Sequence, residues 1–180
     1  PAKALNPSLP EGVSYVDHEV ASGDGFIRVR EYSTNGINEN APALIYLHGG
    51  GWVLFSIEDH HIFTGFLSKT LDAKVFSVDY RLAPENPYPA ALNDYDHVFE
   101  WIEQNHEMLG IDPKRISVGG DSAGGNLSAA ISIRRQSENK SPPKAQLLIY
   151  PVTDLTFSSD SIEELADGFF LTKESMYWFR

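Results

Sequence analysis

The chain has 180 residues, 42% of them hydrophobic, and its 25 acidic and 14 basic side chains give a formal net charge of −11. This length suffices for one domain with a substantial core, and so negative a surface repels nucleic-acid phosphates and anionic lipid. Cysteine is absent, which excludes disulfides and thiolate metal sites; because no apolar stretch is long enough to span a membrane, we expect a cytoplasmic protein.

The N-terminal part of the chain predicts an irregular segment, an antiparallel ribbon and then a buried strand. Residues 1–14 are rich in proline. The alternating stretches SYVDHEVA and FIRVREYS predict half-exposed strands joined by a turn at SGDG. The continuous apolar run ALIYLHGGGW, which ends in glycines, predicts a central strand that is buried on both faces.

Helical patterns and buried strands alternate along the rest of the chain. Residues 60–71 predict a helix whose apolar face comprises Ile62, Phe63, Phe66, Leu67 and Leu71. A second helix carries apolar residues from Tyr95 to Leu109, and AKVFSVDY, RISVGG and AQLLIYPV predict three more buried strands. Because such alternation implies right-handed crossovers, we predict an α/β fold with a mostly parallel sheet and helices on both faces.

The stretch GGDSAGGN at 119–126 places four glycines where a helix should begin, although a glycine inside a helix costs about 1 kcal/mol relative to alanine. Within it, Gly120-Asp121-Ser122-Ala123-Gly124 has the form G-x-S-x-G and predicts a sharp strand-to-helix turn that exposes the serine hydroxyl. Side chains two positions away would collide with the crossing backbone, and the helix N-terminus favours a developing oxyanion. An ordinary glycine-rich turn is the alternative.

A second glycine cluster, His48-Gly49-Gly50-Gly51, also ends a buried strand. Consecutive glycines let backbone N–H groups approach a reacting carbonyl with no side chain in the way. A flexible loop is the alternative. Phosphate binding is excluded, because neither cluster contains the lysine of a P-loop and Leu54 stands where a dinucleotide fingerprint needs glycine.

These motifs together resemble the hormone-sensitive-lipase group of α/β-hydrolases, in particular its bacterial esterases. The matching stretches occur in the order typical of that group: HGGGW (48–52), DYRLAPE (79–85), GGDSAGGN (119–126) and YP (150–151). The resemblance implies that Ser122 is the nucleophile and that the N–H groups of Gly50, Gly51 and Ala123 form the oxyanion hole. It also implies that Asp79, Arg81 and Glu85 brace the site, and that Pro84 and Pro89 are candidates for cis peptide bonds.

The function implied by the resemblance is hydrolysis of carboxylic esters of short to medium acyl chains through an acyl-enzyme, without cofactor or metal. Trp52 and Phe55 are candidates to line an apolar pocket for a small-molecule ester, with core packing as the alternative for Phe55. Self-association into a homo-oligomer stays open. The alternative functions are non-catalytic binding of a small molecule on the same fold, or an inactive fragment.

The sequence departs from the family in its catalytic triad, which runs Ser, then Asp or Glu, then His. All six histidines precede Ser122, and Asp154, which follows it, is interpreted as a turn residue. We therefore expect an α/β-hydrolase domain truncated before its last strands, with an N-terminal cap segment at 1–14, the sheet core at 15–153 and the start of a cap region at 154–180. The remainder of the same polypeptide, or a second chain, would supply the missing Asp and His.

Overall fold

The computed structural model describes residues 8–23 and 25–180, and a six-stranded sheet runs through it. The strands are β1 (Val13–Ser22), β2 (Gly25–Thr34), β3 (Ala41–Leu47), β4 (Lys74–Asp79), β5 (Ile111–Asp121) and β6 (Gln146–Ile149). The helices are α1 (His61–Leu71), α2 (Ala90–Gln104), α3 (Ala123–Ser137), α4 (Ser161–Glu164) and α5 (Lys173–Phe179). The first seven residues of the predicted N-terminal segment 1–14 lie outside the described residues.

The predicted antiparallel ribbon forms one edge of the sheet. β1 pairs with β2 from Val13 opposite Thr34 to Ser22 opposite Gly25. β2 then pairs antiparallel with β4, so the ribbon joins the sheet through the outermost parallel strand. The two alternating sequence stretches are thereby confirmed as strands.

The remaining strands run parallel in the order β4-β3-β5-β6. β3 is buried along almost its whole length, as its continuous apolar sequence predicts for a strand covered on both faces. α2 and α3 cover one face, where Tyr95, Phe99 and Ile131 join the larger hydrophobic core. α1 covers the other face, where Leu67 belongs to a second cluster. The predicted α/β class is confirmed.

The predicted apolar face of α1 is only partly correct, since Leu67 is buried and Ile62 is half-buried. Phe63, Phe66 and Leu71 are exposed, and small residues join Leu67 on the buried face: Thr64, Gly65 and Ser68. The hydroxyl of Ser68 donates hydrogen bonds to the carbonyls of Tyr32 at 3.2 Å and Ala73 at 2.8 Å. Because the Ser68 hydroxyl has these partners, a polar side chain can face the sheet, and α1 can approach the sheet closely.

The second helix is shorter than predicted. α2 ends at Gln104, and the chain then turns through Asn105, whose carbonyl accepts from Leu109 N at 2.9 Å. Leu109 is nevertheless buried in the larger core. The apolar spacing therefore identified a buried residue correctly but extended the helix one turn too far.

The C-terminal segment after β6 contains two short helices without fully buried residues. Thr172 caps α5, because its side-chain oxygen accepts a hydrogen bond from Ser175 N at 3.2 Å. Among the described residues, no helix combines the length and the apolar character that crossing a membrane requires. The assignment of residues 154–180 to a cap region stays a prediction.

A buried arginine joins α2 to α3. The side chain of Arg135 is 1% exposed, and its guanidinium contacts the carboxylates of Asp96 at 2.9 Å and Glu103 at 2.5 Å. It also lies 3.8 Å from the centre of the Phe99 ring. Burial raises the pKa of Asp96, but hydrogen bonds from Lys140 and Arg135 outweigh that effect and hold the pKa below its ordinary value.

Replacing Arg135 by alanine should destabilise the protein by about 3 kcal/mol, because the change removes a buried side chain and leaves the buried carboxylate of Asp96 with Lys140 as its remaining cation. The neighbouring Arg134 is the matched control: its ion pair with Glu138, at 3.1 Å, is partly exposed, so Arg134→Ala should cost only about 0–1 kcal/mol. Urea unfolding of both variants measures the difference. Equal losses would contradict the assignment of a structural role to the buried pair.

Candidate active site

Ser122 lies at the junction of β5 and α3, where the G-x-S-x-G pattern predicts it. Its backbone angles, φ 52° and ψ −115°, fall in a region that costs a residue other than glycine roughly 1–3 kcal/mol. The surrounding backbone holds it there, since Ser122 N donates to the carbonyl of Ile149 at 2.9 Å and Ser122 O accepts from Asn126 N at 3.0 Å. The half-buried serine therefore sits on a strained turn that β6 and α3 fix from both sides.

The glycines around Ser122 are required by close backbone contacts. A Cβ atom at Gly124 would overlap the carbonyl of Leu47, and one at Gly120 would overlap both that carbonyl and Gly124 itself. At Gly125 a Cβ would lie 2.9 Å from Pro151. The structure thus confirms the predicted reason for glycine two positions either side of the serine.

The second glycine cluster follows β3 and forms a tight turn. Gly50 and Gly51 have φ angles of 108° and 60°, which side-chain-bearing residues rarely adopt. The carbonyl of Gly50 accepts hydrogen bonds from Val53 N at 3.1 Å and Leu54 N at 2.9 Å. The ring of Phe179, on α5, lies directly against Gly51, so a Cβ there would overlap the ring. The loop therefore forms a compact turn that its own hydrogen bonds and the Phe179 ring close.

The two glycine clusters leave the sheet side by side. β3 and β5 are neighbours, with Leu47 opposite Gly120, and Gly49 N donates to the Asp121 carboxylate at 3.0 Å. Within the described part of the chain, the N–H groups of Gly50, Gly51 and Ala123 donate to no backbone carbonyl. An oxygen bound beside Ser122 could accept hydrogen bonds from donors of this kind.

His48 is completely buried and fulfils a structural role. Its ring stacks on Tyr80 with the centres 4.4 Å apart, and its Nδ1 lies 2.7 Å from the carbonyl oxygen of Gly49. Tyr80 in turn donates its hydroxyl proton to the carbonyl of His48 at 2.9 Å. Burial lowers the pKa of His48, so the ring stays neutral at neutral pH.

The other five histidines have partners away from the Ser122 hydroxyl. His18 lies next to Glu31, His60 next to Asp121 and His61 next to Tyr32. His97 lies next to Asn93, and His106 lies next to Glu103. Among the described residues none of them forms a hydrogen bond with Ser122. The contact between His60 and Asp121 was not predicted from the sequence, because only the sheet brings these distant segments together.

The stretch DYRLAPE, which begins at the last residue of β4, forms ion pairs that brace the scaffold. Asp79 accepts from both Nε and Nη2 of Arg28, at 3.2 and 3.0 Å. Arg81 contacts the buried carboxylate of Asp94 at 2.6 Å. Glu85 is exposed, and the peptide bonds before Pro84 and Pro89 are both cis, as the resemblance implies.

The two pocket candidates occupy different surroundings. Trp52 is half-buried and packs against the larger hydrophobic core, whereas Phe55 is 47% exposed and lies 6.2 Å from the His60 ring. Core packing is therefore wrong for Phe55. Two surface cavities, of about 320 and 470 Å³, lie elsewhere: one beside Arg115 and the other between α2 and α3 near Ile133. The assignment of Trp52 and Phe55 to a substrate pocket stays a prediction.

Asp154 is a turn residue, as predicted. Its carboxylate accepts hydrogen bonds from Thr156 N at 2.8 Å, from the Thr156 hydroxyl at 2.7 Å and from the Ser158 hydroxyl at 2.9 Å. These bonds, those of Thr156 first, lower the pKa of Asp154 to about 2. The side chain is committed to its own turn rather than to a histidine.

Comparisons with known proteins identify the fold family. A family profile described as the alpha/beta hydrolase fold matches residues 44–180. The carboxylic ester hydrolase LipN of Mycobacterium tuberculosis is 38% identical over 172 residues, which cover 93% of this chain and 46% of that protein. The ethyl acetate hydrolase of Pseudomonas putida is 36% identical over 138 residues, or 76% and 43% of the two chains. The chain spans about half the length of the curated relatives it matches.

Solved structures give the same result. An esterase of Pyrobaculum calidifontis superposes with a TM-score of 0.86 at 40% identity, over 92% of this chain and 55% of that chain. A thermostable carboxylesterase cloned from a metagenomic library superposes with a TM-score of 0.88 at 41% identity, over 92% and 57%. The likeness therefore covers most of this chain but only about half of each solved structure.

Gly124→Ala should destabilise the complete polypeptide by about 1–3 kcal/mol or more, because the new methyl group overlaps the Leu47 carbonyl and the backbone must shift. Gly25→Ala is the matched control, since a Cβ at Gly25 meets nothing within 4 Å among the described residues, and it should change stability by only about 0.5 kcal/mol. Urea unfolding checks both values. A neutral Gly124→Ala would contradict the steric account of the turn.

Proposed function

Because the chain belongs to the α/β-hydrolase fold family, we propose that it is the part of a carboxylic ester hydrolase that carries the nucleophile, Ser122. One observation supports this above the others. A serine occupies a strained backbone conformation at a helix N-terminus, directly beside a glycine loop whose N–H groups at Gly50 and Gly51 bond to no backbone carbonyl of the described residues. Strain of this kind persists where the surrounding structure enforces it, and such positions cluster at functional sites.

In the proposed reaction the Ser122 hydroxyl oxygen attacks the acyl carbon of the ester, and a histidine takes the hydroxyl proton. The carbonyl oxygen becomes an oxyanion, which the N–H groups of Gly50, Gly51 and Ala123 stabilise together with the N-terminus of α3. The bond to the alcohol breaks, and the histidine returns the proton to the leaving oxygen. Water then cleaves the acyl-enzyme by the same steps in reverse order.

The acid and the histidine of this mechanism come, in our proposal, from outside these 180 residues, either from further polypeptide or from a second chain. Every histidine in the sequence precedes Ser122. Each also contacts a residue other than Ser122, and His48 is too deeply buried to reach a substrate. The span of about half the length of the curated relatives is consistent with this division.

The proposed substrates are small esters of short to medium acyl chains. A relative with 36% identity is named for the hydrolysis of ethyl acetate, an ester of the shortest kind. Phe55 is exposed beside the glycine loop, and Trp52 lies next to Gly51. Aromatic side chains at these positions suit contact with an apolar acyl or alcohol group.

Ser122→Ala in the complete polypeptide should lower kcat for p-nitrophenyl acetate by roughly 10⁴-fold or more, because the nucleophile is lost. A fluorophosphonate probe should add to Ser122 in the wild type, as detected by peptide mass spectrometry, and should not add to the variant. Ser137→Ala is the control, because Ser137 lies exposed at the end of α3.

Three results would contradict the proposal in different ways. Full activity of Ser122→Ala would remove the serine from the reaction. Full activity of a pure 180-residue polypeptide, lost on Ser122→Ala, would leave the nucleophile in place but show that one of the upstream histidines is the base. Binding of an ester without turnover in the complete polypeptide would favour the non-catalytic alternative.

A further inference from the structure

The carboxylate of Asp121 joins three separate parts of the chain. Its Oδ1 accepts a hydrogen bond from the Tyr46 hydroxyl of β3 at 2.7 Å and one from Gly49 N at 3.0 Å. The same oxygen lies 3.2 Å from Nε2 of His60, immediately before α1. The side chains of Asp121 and His60 are only 13% and 17% exposed. One oxygen atom of Asp121 therefore accepts two hydrogen bonds, from β3 and from the glycine loop that follows it, and lies within contact distance of the ring nitrogen of His60.

The position of these contacts relates them to the proposed oxyanion hole. Asp121 directly precedes Ser122, and Gly49 directly precedes Gly50. The hydrogen bond from Gly49 N to the Asp121 carboxylate consequently joins two residues: the one before the proposed nucleophile and the one before the first proposed oxyanion donor. Any shift of this carboxylate would change the distance between the serine oxygen and the glycine N–H groups.

His60 fixes the far end of the same loop. Its ring lies among three other rings, with centres 5.6 Å from His48, 6.3 Å from Tyr46 and 6.2 Å from Phe55. Its Nδ1 is buried and has no hydrogen-bond partner among the described residues, so the contact of Nε2 with Asp121 and the packing of the neighbouring rings orient the imidazole. The contact ties the end of the segment that begins at His48 back to the serine turn.

The charge of Asp121 matches this role. Burial alone would raise its pKa, but hydrogen bonds from His60 and Tyr46 outweigh burial and hold the pKa below its ordinary value. Burial, and then Asp121, raise the pKa of Tyr46, so its phenol remains a neutral donor. Hydrogen bonds to an ionised acceptor are roughly twice as strong as neutral ones, and those from Tyr46 and Gly49 meet at one oxygen beside His60 Nε2.

We propose that His60 and Asp121 are positioning residues that hold the glycine loop at the distance from Ser122 that oxyanion binding requires. The inference rests on the proposed function and adds to it a role for Asp121, the variable position of the G-x-S-x-G motif, and for His60, which lies outside both motifs. Neither side chain exchanges a proton with the substrate. His60 acts only as a hydrogen-bond donor to Asp121, and Asp121 acts only as an acceptor.

The test compares two replacements of His60 in the complete polypeptide, with p-nitrophenyl acetate as substrate. His60→Leu removes the donor and should lower kcat about 10- to 100-fold while KM changes no more than about twofold, because misplacement of the donors affects the transition state. His60→Gln keeps an N–H donor at a similar position, so kcat should stay within about threefold of the wild type. Asp121→Asn should lower kcat in the same way as His60→Leu, and it replaces that variant should the leucine protein fail to fold.

His61→Leu is the matched control, since His61 occupies the next position on the same helix but contacts the Tyr32 hydroxyl at 2.8 Å. It should leave kcat unchanged even where it lowers the melting temperature, which separates positioning from general stability. Wild-type kcat in His60→Leu and Asp121→Asn would overturn the inference, as would a folded His60→Gln with the same loss as His60→Leu. Failure of the proposed function is distinguishable from failure of this inference. A Ser122→Ala variant with full activity would remove the serine from the reaction, whereas failure of the inference alone would leave that variant inactive.

Discussion

The close crossing of backbone between the end of β3 and the start of α3 is the constraint on which the rest of the structure depends. The carbonyl of Leu47 occupies the space that a Cβ of either Gly120 or Gly124 would need. α3 can therefore begin directly on the sheet, which turns the chain sharply at Ser122 and lifts the serine from the strand. The same approach brings the glycine loop that follows Leu47 beside the serine, so one steric requirement places both parts of the proposed site.

The sequence predicted the features whose causes are local. A run of glycines around a serine reports a steric requirement that any chain must meet in the same way, and the apolar runs of β3 and β4 report burial on both faces. The buried face of α1 could not be predicted by hydrophobic spacing. Thr64 and Ser68 face the sheet because backbone carbonyls accept their hydroxyl protons, and this compensation becomes visible only after the helix has been placed.

The contact between His60 and Asp121 was beyond the reach of sequence patterns for a related reason. Each residue has an ordinary local explanation, His60 at the start of a helix and Asp121 inside the G-x-S-x-G turn. Their meeting depends on the strand order β4-β3-β5, which brings the loop after β3 against the end of β5. Motifs identify the residues that a reaction uses, whereas the residues that hold them in place are distributed by the topology.

The positive φ of Ser122 lowers the stability of the fold at the residue that the proposed chemistry requires. A glycine at this position would adopt the same backbone without strain, and would release part of the roughly 1–3 kcal/mol that the serine costs. The residue on which the proposed reaction depends most is thus held in a backbone conformation that is unfavourable for folding. In a lineage selected for thermal tolerance alone, Ser122 would be among the first positions to change, and its hydroxyl would disappear while the sheet around it became more stable.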